Sequence, residues 1–256
     1  MIKKRLVGVV TVLDGWAVQS FGYGRYLPLG RPEIHVENLD RWGADEILLN
    51  CIDRSRRYLG PDMALLERIG RKGLSTPLIY SGGIRHSQDA VDAVNAAADR
   101  VTVDALIRDD LDEVARAGAR LGNQAVIGAI PVSIEQGEAR WLDYRTGASE
   151  AISGALVEAL QSGLLSEALL IDWKHEGRPN AFDVALLDIL PEDVPIIAFG
   201  GISQADQIAG VMKKSNVVAA AVGNALSYRE HAVQALRQAL PGTPIRPAAY
   251  QQTLYA

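Results

Sequence analysis

A chain of 256 residues that is 48% hydrophobic and 22% charged can bury one large α/β core or two ordinary ones. Its net charge of −5 sets up a bulk field that repels nucleic acid and anionic membrane, which argues against both as partners. The single cysteine, Cys51, excludes an internal disulfide, and with no secretory leader and no apolar run of about 20 residues the expectation is a cytoplasmic protein that spans no membrane.

Short β-rich runs at 5–12, 46–51, 77–80, 100–104, 124–130, 167–171, 195–199 and 217–222 alternate with amphipathic helical stretches such as 62–69, 111–121, 151–160 and 231–240. Eight β-then-α units in about 250 residues is the dimension of a (β/α)8 TIM barrel, of α/β class and one domain over 1–256. An open doubly wound sheet would need a reversal of strand order, and nothing in the sequence marks one. Residues 133–144 alternate apolar and polar around Gln136-Gly137-Glu138, which predicts a short β-hairpin inserted at 132–146, after strand five.

The chain also repeats itself. PLIYSGGIR (77–85) and PIIAFGGIS (195–203) each run an apolar strand into a double glycine, 118 residues apart, and 44–69 echoes 166–190. Each half then supplies four units and one Gly-Gly loop, as expected of two half-barrel repeats. Glycines directly after a strand let backbone N–H groups approach an anion with no Cβ in the way, and in such barrels the loops at the C-terminal ends of the strands hold phosphate. The second half carries Gly177, Gly200, Gly201, Gly223 and Asn224 on three successive loops. The first carries Gly82 and Gly83, with Asp104 where a glycine or amide would complete the set. A carboxylate repels phosphate, so the second-half site is expected to be intact and the first-half site weakened. Arg85, beside the first pair, either restores positive charge there or faces solvent.

The segments KRLVGVVTVLDG (4–15), GADEILL (43–49), GGI (82–84), ADRVTV (98–103), GNQAVIGAI (122–130), PIIAFGG (195–201) and YRE (228–230), with Glu167 and Gly177, resemble the cyclase subunit of imidazole glycerol phosphate synthase, in the histidine-biosynthesis barrel family. The resemblance implies an ammonia-accepting synthase: a glutaminase subunit of the class I amidotransferase type on the N-terminal barrel face, ammonia passing through the barrel, and a phosphorylated substrate at the other end. It also implies an ammonia gate at the strand starts, here Arg5, Glu46, Arg100 and Glu167, and a role for Asp99 near the partner's active site. The family's two catalytic aspartates, at the ends of strands one and five, fall on Thr11 and Pro131, and an aspartate common on strand two falls on Cys51. Neither proline nor a threonine hydroxyl replaces a carboxylate as acid or base near neutral pH. The sequence therefore reads as a divergent paralogue acting on a phosphorylated or nucleotide-linked small molecule such as a sugar. The genuine cyclase of histidine biosynthesis and a non-catalytic partner or scaffold of a glutaminase are the alternatives.

Replacement chemistry falls to polar residues at strand ends. Asp104 and Asp172, ending strands four and six, are the carboxylate candidates, and His175 is a candidate proton shuttle; a structural or solvated role also explains each. Cys51 has no evident histidine or helix-dipole partner and reads as a small buried residue. The histidines at 35, 86, 175 and 231 are scattered, two of them in helical segments, so neither a metal nor another cofactor is expected. Trp42 and Trp141 read as packing residues, whereas Trp16 and Trp173, just past strands one and six, are expected at the mouth.

Overall fold

The computed structural model describes residues 3–250. β1 (Arg5–Leu13) leads into a hairpin of β2 (Trp16–Phe21) and β3 (Arg25–Gly30), then α1 (Pro32–Arg41). β4 (Glu46–Cys51), α2 (Met63–Gly70), β5 (Leu78–Ser81), α3 (Ser87–Ala96) and β6 (Arg100–Val103) follow, and after them α4 (Ala105–Asp109) and α5 (Leu111–Leu121). β7 (Val126–Glu135) runs out of the barrel into β8 (Glu138–Asp143) and β9 (Ala148–Ala151) ahead of α6 (Gly154–Gln161). β10 (Ala168–Asp172), a 3-10 turn at Val184–Asp188, β11 (Ile196–Phe199), α7 (Ala205–Val211), β12 (Val217–Val222) and α8 (Ala232–Gln238) complete the chain.

β1, β4, β5, β6, β7, β10, β11 and β12 pair in parallel in that order, and β12 pairs back onto β1. The result is a closed (β/α)8 barrel. Strand alternation splits the core in two. A column that includes Val7, Leu48, Ile79, Ile127, Leu169 and Phe199 fills the bore. The intervening residues, such as Leu6, Leu49, Tyr80, Ile130 and Leu170, pack outward with the helices. Local chemistry sets the helix limits: Asp110 caps α5 by accepting from Glu113 N at 3.1 Å, Val114 and Ala117 bury its inner face, and Gly122, at φ 87°, ends it.

The two Gly-Gly loops share one geometry. Gly82 and Gly83 have φ 127° and 75°, Gly200 and Gly201 have φ 103° and 76°. A Cβ on Gly82 would lie 2.3 Å from the carbonyl oxygen of Cys51, at the end of β4, and one on Gly200 would lie 2.4 Å from that of Asp172, at the end of β10. Each loop thus presses its backbone onto the end of an equivalent strand, which only glycine permits.

Three features depart from the sequence-based expectation. The β2–β3 hairpin is not among the runs read from the sequence; it forms because β1 continues beyond the barrel, pairing Thr11 with Val18, while β3 stays largely exposed. The insertion expected at 132–146 folds around Gln136 and Gly137, at φ 52° and 85°, which is the backbone of a tight hairpin turn, and then adds β9 as a third strand. His231, expected within the last helix, instead precedes α8 with a left-handed backbone.

Candidate functional site

At the N-terminal end of the barrel, Arg5, Glu46 and Arg100 open β1, β4 and β6, and Glu167 directly precedes β10. They are in phase with the bore residues of their strands and converge there. Arg5 pairs with Glu46 at 2.9 Å and Glu167 at 2.8 Å; Arg100 pairs with the same two carboxylates at 3.2 and 3.0 Å. The ring is closed, with signs alternating. Arg100 is anchored further by donating to Ser166 Oγ and to the Gln124 carbonyl, both at 3.0 Å. Burial raises the pKa of Glu46 even though both arginines oppose the shift. Asp99, an exposed residue, precedes Arg100 on the same face; its N–H donates to the Leu78 carbonyl at 2.8 Å and its carboxylate accepts from Leu78 N at 2.7 Å.

At the C-terminal end, a cavity of roughly 370 Å3 lies above the bore. Asn50, Ser81, Asp104, Pro131 and Trp173 line it from the strand ends, Tyr23 and Tyr26 roof it from the first hairpin, and Leu142, Tyr144 and Arg145 from the second. Neither hairpin's contribution was legible as a site in the sequence. Thr11 is buried but does not line this cavity; it borders a larger one, of roughly 570 Å3, between α1 and residues 223–231. Of the two positions where the resemblance puts aspartates, only Pro131 therefore meets the central cavity.

Asp104 does meet it, and is already engaged. Its carboxylate accepts from Ser55 Oγ at 3.1 Å and from Ala105 N at 2.5 Å, while burial pushes its pKa up. Ser55 Oγ in turn accepts from Gly83 N at 2.9 Å. An internal hydroxyl thus occupies the N–H that an anion would have used at the first Gly-Gly loop. Ser55 carries no sequence signal for this role, because its proximity to Gly83 arises only when the two loops fold together.

Asp172 and His175 lie outside the central cavity. Ile171 faces the bore, so Asp172 turns toward the helix side, where it is 1% exposed. One of its oxygens accepts from Asp183 N at 2.8 Å and meets His175 Nδ1 at 2.8 Å; the other is buried with no hydrogen-bond partner among the described residues. Burial raises the Asp172 pKa. The pair fastens the loop that carries Gly177.

Gly177, Gly201, Gly223 and Asn224 do come together, around a small cavity of roughly 60 Å3 with Arg178 and Ser203. Gly200 lies beneath, against Asp172. Asn224 spends its side chain on the hairpin, donating to the Ser20 carbonyl at 2.7 Å and accepting from Ser20 N at 3.3 Å, so what it offers the cavity is backbone. Ser20 Oγ also donates to buried Glu176 at 2.9 Å. Gly82 lines the central cavity instead.

The remaining candidates divide between packing positions and the mouth. Cys51 is 2% exposed among outer-core residues, and burial pushes its thiol well up, away from the thiolate. Trp173 reaches the mouth as expected. Trp16 does not: it stands on the hairpin, 57% exposed. Trp141 is buried under the Arg108 guanidinium, 3.4 Å from the ring centre. Among the described residues no helix is long and apolar enough to cross a membrane.

Fold and site define a (β/α)8 barrel of two matching halves, with a charged ring at one end of its bore and glycine loops at the other. The chain belongs to the histidine biosynthesis protein family, which matches residues 12–232. It is 29% identical, over 93% of its length and 88% of the relative's, to a Vibrio vulnificus protein provisionally named imidazole glycerol phosphate synthase subunit hisF2. It is 28% identical to the imidazole glycerol phosphate synthase subunits HisF of an Exiguobacterium species and of Bacillus licheniformis, over 93% of this chain and 93% and 96% of theirs.

Proposed function

We propose that this barrel is the ammonia-accepting synthase subunit of a cytoplasmic glutamine-dependent amidotransferase, working on a phosphorylated or nucleotide-linked small molecule rather than on the substrate of histidine biosynthesis. The closed Arg5–Glu46–Arg100–Glu167 ring carries the reading. Four ionised side chains converging at one end of an apolar bore seal it against water, and parting one pair would admit a small neutral molecule. Ammonia suits such a bore; ammonium does not. In this reading a class I glutaminase docks over the ring, beside Asp99, and the acceptor enters from the opposite mouth.

The acceptor's difference rests on chemistry. With Thr11 and Pro131 where a carboxylate pair would stand, the mouth lacks the acid and base that close an imidazole ring. Asp104, its carboxyl shifted upward by burial, is the remaining acid at the central cavity. The cavity among Gly177, Gly201, Gly223 and Asn224 suits one phosphate of the acceptor. Expression in a histidine auxotroph lacking its own cyclase subunit tests the distinction: no growth without histidine is expected, and growth at the wild-type rate would return the protein to histidine biosynthesis.

A further inference from the structure

Two groups that roof the central cavity hold hydrogen-bonding capacity the protein leaves unused. Tyr23 Oη and Trp173 Nε1 are both buried, and neither has a partner among the described residues. Both side chains rest on the top of the bore column, and both line the cavity with Asn50. Buried donors left unpaired are costly and uncommon, so two on one cavity mark a place where a ligand supplies the partner.

The site is held in position. Tyr26 Oη donates to the Tyr23 carbonyl at 2.5 Å, Gly22 N donates to the Glu176 carbonyl at 2.9 Å, and Tyr23 itself takes a left-handed backbone at φ 54°. An indole N–H donates and cannot accept, so whatever meets Trp173 must bring an acceptor. Burial, reinforced by the nearby Glu176 carboxylate and only partly offset by the neighbouring Asn50 amide, which donates toward Oη, raises the Tyr23 pKa well above its ordinary value, which keeps the hydroxyl proton in place as a second donor. A ligand hydroxyl would bring a donor of its own where donors are already in surplus. A carbonyl oxygen brings two lone pairs and no proton. Arg56 lines the same cavity and offsets a negative charge there, whereas Asp104 is engaged with Ser55 and Ala105.

We propose that Tyr23 Oη and Trp173 Nε1 donate to an oxygen on a carbonyl carbon, that of a carboxylate or carboxamide, in the small molecule bound at this mouth. The proposal rests on the functional reading above for placing the acceptor in this cavity. It narrows that acceptor to compounds bearing such a group and excludes those presenting an amine at this point.

The full chain labelled with 15N at its four tryptophan indoles supplies the test, with Trp173→Phe assigning the signal. Acetate and acetamide are the probes and ethylammonium the control. A saturable displacement of the Trp173 indole signal by acetate or acetamide, absent with ethylammonium and weakened about fivefold in Tyr23→Phe, is expected. No saturable displacement, the same displacement by ethylammonium, or unchanged affinity in Tyr23→Phe would overturn the proposal. Tyr23→Phe keeps the ring and its packing, and the wild-type titration stands even if that variant does not fold. No glutaminase or ammonia takes part, so failure here and failure of the amidotransferase reading are separate results.

Discussion

Glu46 and Glu167 are held by the same two arginines, Arg5 and Arg100, so neither carboxylate has a private partner. Removing one arginine leaves two partly buried carboxylates competing for the other. Arg100→Ala should therefore destabilise the barrel by about 1–3 kcal/mol in urea unfolding. Glu46→Gln should cost less, because burial already disfavours the charge it removes. Arg100→Lys should fall between wild type and Arg100→Ala, since it keeps the charge and loses the fork that spans both carboxylates. An Arg100→Ala protein as stable as wild type would show that the ring is not a cooperative unit.

Anion binding should be lopsided. In a phosphate titration followed by backbone amide resonances, Gly177, Gly201, Gly223 and Asn224 should move first, with Gly82 and Gly83 nearly still, because Ser55 Oγ already occupies the Gly83 N–H. Ser55→Ala should free that N–H but leave the Asp104 carboxylate beside it, so first-half binding should stay weak. Preferential movement of the first-half amides would reverse the assignment.

Given the ribulosyl bis-phosphate substrate of the cyclase and an ammonium salt, the purified barrel should form no measurable imidazole glycerol phosphate. Loss of both members of an acid–base pair removes several powers of ten in rate. Turnover comparable to a genuine cyclase, followed by product chromatography, would contradict this. Thr11→Asp with Pro131→Asp should recover at most a trace, since Thr11 does not share the central cavity with Pro131.

Among the carboxylates whose pKa is lowered, Glu113 is shifted far enough to be read in acid unfolding. Glu113 accepts from Ser87 N at 2.5 Å and from Arg116 at 2.8 Å, which lowers its pKa from the ordinary 4.5 to about 2. A folded-state value below the unfolded one contributes stability that is complete above about 4.5 and lost as pH falls toward 2. The stability gap between wild type and Glu113→Gln should accordingly be constant near neutrality and narrow below pH ~4.5. Asp104 and Asp172, raised by burial, act in the opposite sense, favouring the folded state as they protonate.

Much of the barrel was legible because its strands are buried on both faces and read as short apolar runs: all eight lie within a few residues of where the sequence puts them. The four ring residues were found through resemblance, and strand phase alone would have found Arg5, Glu46 and Glu167, each two residues before a bore residue. The mouth was less legible. Its roof comes from hairpins whose exposed strands and glycines carry little periodicity, so Tyr23, Tyr26, Tyr144 and Arg145 gave no signal. Asp172 stood at the right strand end but one residue out of phase with the bore, and Ser55 acts through a contact with Gly83, 28 residues away, that only the folded chain creates.

The ringed end of the barrel, as proposed, receives ammonia from a glutaminase. The most direct test of that reading is to co-express the barrel with a class I glutaminase subunit of the same organism and to follow both size-exclusion behaviour and glutamine hydrolysis. One peak of a one-to-one complex is expected at micromolar concentration, with hydrolysis stimulated by the barrel and the stimulation lost in Asp99→Ala. Two separate peaks, with glutamine hydrolysis indifferent to the barrel, would contradict it.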